Sequence, residues 1–129
     1  MEQTFFDLQQ ALKGELKTDS LHTLMYATDA SAYREEPLAV AFPVDNRDIH
    51  TIIGFCSSQN IPLIPRTAGT SLAGQVVGKG LIVDVSKYLT KIIEINPEER
   101  YAIVQPGVTR DELNRVSAKH ELFFGTETS

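Results

Sequence analysis

Residues 61–85, I-P-L-I-P-R-T-A-G-T-S-L-A-G-Q-V-V-G-K-G-L-I-V-D-V, constrain the fold more than any other stretch. Two apolar runs, residues 62–65 and 81–85, flank a segment of small residues. Both runs read as strands, the second because β-branched residues dominate it. Between them Gly69, Gly74, Gly78 and Gly80 are interleaved with Thr67, Thr70 and Ser71. A plain surface loop has no need of that mixture. A backbone wrapped around an anion does, because glycine permits positive φ and lets peptide N–H groups approach closely.

Two common phosphate-binding loops are excluded by single residues. Gly69 and Gly74 have the glycine spacing of a nucleoside-triphosphate loop. Gln75 and Val76 then stand where that loop needs its lysine and its magnesium-binding hydroxyl. Gly78-Lys79-Gly80 begins a dinucleotide fingerprint, but Val83 takes the third glycine's place and a strand follows where a helix is required. The loop must therefore hold an anion with backbone N–H groups and hydroxyls. A flexible surface loop that binds nothing is the plainer alternative.

The rest of the chain reads as scaffold. Thr4 can cap a first helix whose apolar stripe is Phe5, Leu8, Leu12 and Leu16. Ser20 can cap a second, short helix through Leu21, Leu24 and Met25. Residues 29–37 are polar and turn-rich. Residues 38–42 predict a strand, and Ile49, Ile52, Ile53 and Cys56 predict a helix packed on a sheet. With the strand before Arg66 this is a β-α-β unit, so its two strands are expected to be parallel. Residues 91–95 and 100–105 predict a hairpin around Asn96-Pro97-Glu98-Glu99. Thr109 and Glu112 form a capping box for a last helix, and Val108 and Leu113 fit the accompanying hydrophobic staple. Residues 122–129 put two phenylalanines before a small polar segment, as if the chain were cut inside a larger protein.

Length and charge narrow the function classes. The 129 residues suit one domain. A formal net charge of -5 argues against nucleic acid as partner. The lone Cys56 excludes an internal disulfide or a thiolate-held cluster within the chain. No apolar run approaches the ~20 residues of a membrane span, and no leader is apparent. A cytoplasmic setting is expected, with peripheral membrane association of a parent protein left open. His22, His50 and His120 read as helix residues without a catalytic role.

Pro65-Arg66-Thr67-Ala68-Gly69-Thr70-Ser71-Leu72, followed by Gly74-Gln75, resembles the flavin-phosphate loop of FAD-linked oxidases. This is the family of vanillyl-alcohol oxidase and the D-lactate dehydrogenases, with a PCMH-type FAD-binding domain. Thr67 and Ala68 replace two of that loop's glycines. Residues 33–43, 81–96, 104–109 and 122–129 are also similar to family segments, in family order. The resemblance implies an α/β (or α+β) fold: a small mixed β-sheet with packed helices, the N-terminal half of the domain, preceded by a helical segment. It implies that residues 1–35 are that segment and 36–129 a partial, C-terminally truncated domain.

It further implies that Pro65, Arg66, Thr67, Ala68, Gly69, Thr70, Ser71, Gly74 and Gln75 bind FAD, with Thr128 and Ser129 approaching it later in the chain. Backbone N–H groups of 67–71 would hold the pyrophosphate, and the hydroxyls of Thr70 and Ser71 would add to them. Arg66 would balance phosphate charge, or be a solvated arginine at a strand end. Family members that attach FAD covalently carry histidine at the place of Thr70, so non-covalent FAD is implied. The implied parent oxidises a 2-hydroxy acid such as lactate or glycolate, and its substrate-binding residues lie beyond Ser129. No metal site is expected in this chain. A non-catalytic phosphate- or nucleotide-binding module, or a piece inert by itself, is the other reading.

Overall fold

The first helix is shorter than its apolar stripe suggests. The computed structural model describes residues 2–126. Helix α1 spans Glu2–Ala11, so Thr4 lies inside it rather than capping it. Phe5 and Leu8 are buried, and Leu12 packs against the same core. Leu16 is buried too, but on strand β1 (Glu15–Lys17). The cause is Asp48, whose carboxylate accepts the backbone N–H groups of Lys13 (3.0 Å) and Gly14 (2.9 Å) and turns the chain there. It also accepts from Val44 N–H at 3.0 Å. The N-terminal segment is thus not purely helical: β1 joins the main sheet, antiparallel to β2 (Ala39–Phe42).

Helix α2 (Ser20–Met25) is capped one residue earlier than expected, by Asp19, whose side chain accepts from His22 N–H. Helix α3 (Asn46–Gln59) is capped by Asp45 and buries Ile52 and Cys56 of its expected apolar stripe, while Ile53 of that stripe is 50% exposed, on the helix's outer side. Strands β3 (Leu63–Arg66) and β4 (Leu81–Asp84) follow. The sheet order is β1-β2-β4-β3, with β2 and β3 each parallel to β4. The two strands of the expected β-α-β unit are parallel, and β4 is inserted between them.

Phe5, Leu8, Ile52 and Cys56 pack on Ala39, Ala41, Leu81 and Val83 from one face of this mixed sheet. Val40, Phe42 and Ile82 cluster with Tyr26 and Ile64. Alternate residues of β2 and β4 therefore serve opposite clusters, which is why both strands are continuous apolar runs. Strands β5 (Ile92–Asn96) and β6 (Tyr101–Val104) form a separate antiparallel hairpin, with Arg100 in its turn at φ 57°. Helix α4 (Arg110–Ser117) begins at Thr109, whose hydroxyl accepts from Glu112 N–H at 3.2 Å.

Candidate functional site

The β3–β4 connection decides where a ligand can sit. Parallel neighbours need a crossover of roughly a dozen residues or more, usually a helix. Here the crossover is residues 67–80 with no helix in it. It leaves β3 at Arg66, beside Asp84 in the register, and re-enters at Leu81, beside Leu63. Residues 67–76 consequently lie near the carboxyl ends of the parallel strands, where open α/β sheets bind ligands.

The loop's backbone is shaped by two glycines in the left-handed region, Gly69 at φ 69° and Gly74 at φ 70°. The N–H groups of residues 67–72 donate to no acceptor among the described residues. A run of consecutive free N–H groups next to a positive-φ glycine is an anion-binding concavity. Thr67, Ala68 and Thr70 are exposed among the described residues. These features fit a pyrophosphate group.

The predicted site residues divide by what they touch. Ser71 turns inward: its hydroxyl donates to Gln75 Oε1 at 2.8 Å and accepts from the N–H groups of Ala73 and Gln75, both at 3.3 Å. Ser71 and Gln75 therefore hold each other and shape the loop. Pro65 is exposed on β3. Gly74 lies on Tyr33: a Cβ there would stand 2.6 Å from the Tyr33 ring. The Gly69 carbonyl accepts from Ala30 N–H at 2.9 Å. Thr128 and Ser129 lie outside the described residues.

Arg66 also turns inward. Its Nη1 donates to the carbonyls of Tyr26 (3.3 Å) and Val76 (3.4 Å), and its guanidinium lies over the Tyr26 ring at 5.0 Å. The Tyr26 hydroxyl donates to Asp84 Oδ2 at 2.5 Å, and Ser86 supplies Asp84 Oδ1 with an N–H at 2.8 Å and a hydroxyl at 2.6 Å. Burial pushes the Tyr26 phenol up, and the Asp84 carboxylate adds to the shift, so Tyr26 stays a neutral donor. Asp29 accepts from the Ser31 N–H (2.8 Å) and the Ser31 hydroxyl. Its carboxyl is held below the usual range, first by the Ser31 hydroxyl, with burial opposing and the Arg66 charge a smaller help.

Tyr26, Tyr33, Val76 and Asp84 were not apparent as parts of the site. One signal was available: Asp84 closes the apolar run L-I-V-D, and an acid on a buried strand needs a partner. Among the described residues no helix is long and apolar enough to cross a membrane.

The chain is similar to D-2-hydroxyglutarate dehydrogenase of Pseudomonas putida, 38% identical over 120 residues, covering 91% of this chain and 12% of that protein. It is 37% identical over 97 residues to the mitochondrial D-lactate dehydrogenase [cytochrome] of Kluyveromyces lactis, covering 72% of this chain and 17% of that one. The chain therefore spans less than a fifth of the length of either. The solved structure of alkyldihydroxyacetonephosphate synthase superposes with a TM-score of 0.79 at 16% identity, over 92% of this chain and 27% of that one, and so shares the fold. Residues 37–129, from just before β2 through the whole loop and α4, match the FAD binding domain family, and the chain belongs to that family.

Proposed function

We propose that the backbone N–H groups of residues 67–72 hold the pyrophosphate of non-covalently bound FAD, within a larger oxidoreductase acting on a 2-hydroxy acid. The observation that carries this reading is the run of free N–H groups around Gly69, at the carboxyl end of β3. The hydroxyl of Thr70 is exposed beside them and adds a donor, and Ser71 and Gln75 keep the loop in shape. FAD, when bound, supplies hydride acceptance from the substrate carbon, chemistry that belongs to the cofactor. This chain's part is binding and orientation.

The substrate class rests on the relatives, which are named for D-2-hydroxyglutarate and D-lactate, both 2-hydroxy acids. Residues 36–129 form part of the cofactor domain, and the first 35 residues brace it through β1. The single, buried Cys56 suits a reducing, cytoplasmic setting.

The test is FAD titration of the full-length parent. Acid denaturation is expected to release the flavin, ADP to compete with FAD, and riboflavin, lacking phosphates, to bind far more weakly. Gly69→Val places a β-branched residue at φ 69° and is expected to lower FAD affinity at least about tenfold. Equal affinity for riboflavin and FAD, or unchanged affinity in the Gly69 variant, puts the phosphates elsewhere. A parent that binds no flavin returns the loop to the reading of a plain phosphate-binding or inert segment.

A further inference from the structure

We infer that Arg66 is a positioning residue, a floor under the cradle that sets the loop's shape before any ligand arrives, and not a ligand of the phosphates. The inference rests on the FAD reading above for its ligand, but its structural half stands without it. Arginine at the mouth of an anion site invites the assignment of a counter-charge. The geometry points the other way. Nη1 is occupied by the carbonyls of Tyr26 and Val76, and these belong to different parts of the chain: the end of α2 and the far limb of the loop. Arg66 itself ends β3, so one side chain fastens three segments.

The rest of the guanidinium is used as a surface. A Cβ built on Gly69 would lie 2.5 Å from Nη2, 2.9 Å from Cζ and 3.1 Å from Nε. The guanidinium of Arg66 therefore fills the place a Gly69 side chain would take, and its Cζ lies 5.0 Å from the centre of the Tyr26 ring. Tyr26 is fixed in turn by its hydroxyl on Asp84, which is buried at the end of β4. The chain of support runs from the sheet through Asp84, Tyr26 and Arg66 to Gly69. Gly69 is pinned from a second direction by Ala30 N–H on its carbonyl. A loop held this way presents its N–H groups in a ready-made arrangement, and the ordering cost of binding is met in folding. Lysine could replace a counter-charge, since a compact ammonium also serves phosphate. It cannot replace a planar guanidinium that fills the space beside Gly69, lies over Tyr26 and bridges two carbonyls.

The experiment uses the full-length parent with Arg66→Lys and Arg66→Met. FAD affinity is measured at low and high salt, and the FAD-free proteins are digested with thermolysin, which cuts before the exposed Leu72 (79% accessible). Losing a charge-assisted hydrogen bond corresponds to roughly tenfold. Both variants are expected to lose about that much FAD affinity, with the salt dependence unchanged, and to be cut faster at the loop while melting temperature shifts little. Wild-type affinity in Arg66→Lys, or a flattened salt dependence in Arg66→Met, makes Arg66 a phosphate ligand and overturns the inference. So does an unchanged cutting rate. Should the parent bind no flavin, the FAD reading fails alone, and the digestion of FAD-free protein still decides whether Arg66 holds the loop.

Discussion

The two sheets of this molecule are built to different standards. In the four-stranded sheet Val40, Ala41, Leu81 and Ile82 are wholly buried (0% accessible each), because side chains pack against both of its faces. In the hairpin every residue of β6 is exposed, among them Tyr101, Ile103 and Val104. The hairpin's neighbours leave a cavity of about 320 Å³ lined by Ile95, Ala102, Leu113 and Phe124. The difference teaches where the cradle obtains its stiffness. Residues 67–76 are fastened to β3 through Val76 and Arg66 and to the segment after α2 through Gly69 and Ala30, while Arg66 leads on through Tyr26 to Asp84 on β4; among the described residues none of their hydrogen bonds reaches the hairpin. An anion site made of main-chain groups works only if the chain is held still, so it belongs on the buried sheet.

Asp48 offers the largest effect that could break this comparison. It is 1% accessible, and its carboxylate holds three backbone N–H groups from two turns. Asp48→Ala leaves those donors without their partner, and the expected loss is about 4 kcal/mol of unfolding free energy. Urea unfolding measures it. A loss below about 1 kcal/mol means that the turn holding β1 against β2 is kept by something else, and the sheet side owes less to Asp48 than its geometry implies.

A matched pair then probes the packing directly. Ile82→Ala in β4 empties a fully buried position and is expected to cost about 3 kcal/mol. Ile103→Ala in β6, where the side chain is 46% accessible, is expected to cost under about 1 kcal/mol. Equal losses would show that the hairpin side chains are as tightly packed as those of the sheet, and the contrast between the two would fall.

The sequence carried these two regions unequally. The strands, α3 and the hairpin follow from periodicity and turn chemistry over a few residues, and all are present; of the expected capping box of α4, the Thr109 hydroxyl accepts from Glu112 N–H, without the return bond from Glu112. Of the loop's four glycines, Gly69 and Gly74 take positive φ, and Gly78 and Gly80 do not. What could not be read are links between distant residues. Leu16 lies four positions after Leu12, so a helical stripe claims it, and only the reach of Asp48 back to Gly14 reveals a turn and a strand. An acid in the first turn of a helix has a sufficient local explanation in the helix dipole, so its long-range use leaves no trace in the pattern. Arg66 is the same case: a strand-end arginine is satisfied by water on paper, and its carbonyl partners lie 40 and 10 residues away.

The smallest test asks whether charge, as well as packing, holds the sheet side together. Glu15 on β1 accepts from Lys87 Nζ at 2.5 Å and from the Tyr88 hydroxyl, with Lys17 Nζ at 3.2 Å. These bonds, Lys87's first and Tyr88's second, hold its carboxyl down from the ordinary 4.5 to about 2, against an opposing effect of burial. A carboxyl whose folded pKa lies below its unfolded one stabilises the fold fully above the unfolded value. That contribution fades as pH falls through the window between them. Glu15→Gln is therefore expected to be less stable than wild type by about 1 kcal/mol near pH 7, a modest figure because the side chain is partly in water. The difference should hold down to about pH 5 and shrink towards zero by about pH 2, the window set by 4.5 and about 2. Urea unfolding of both proteins across that range measures it, and high salt should narrow the gap at neutral pH. A gap that stays constant down to pH 2 would assign the effect to lost shape or hydrogen bonding, and the edge of the sheet would then be held by packing alone.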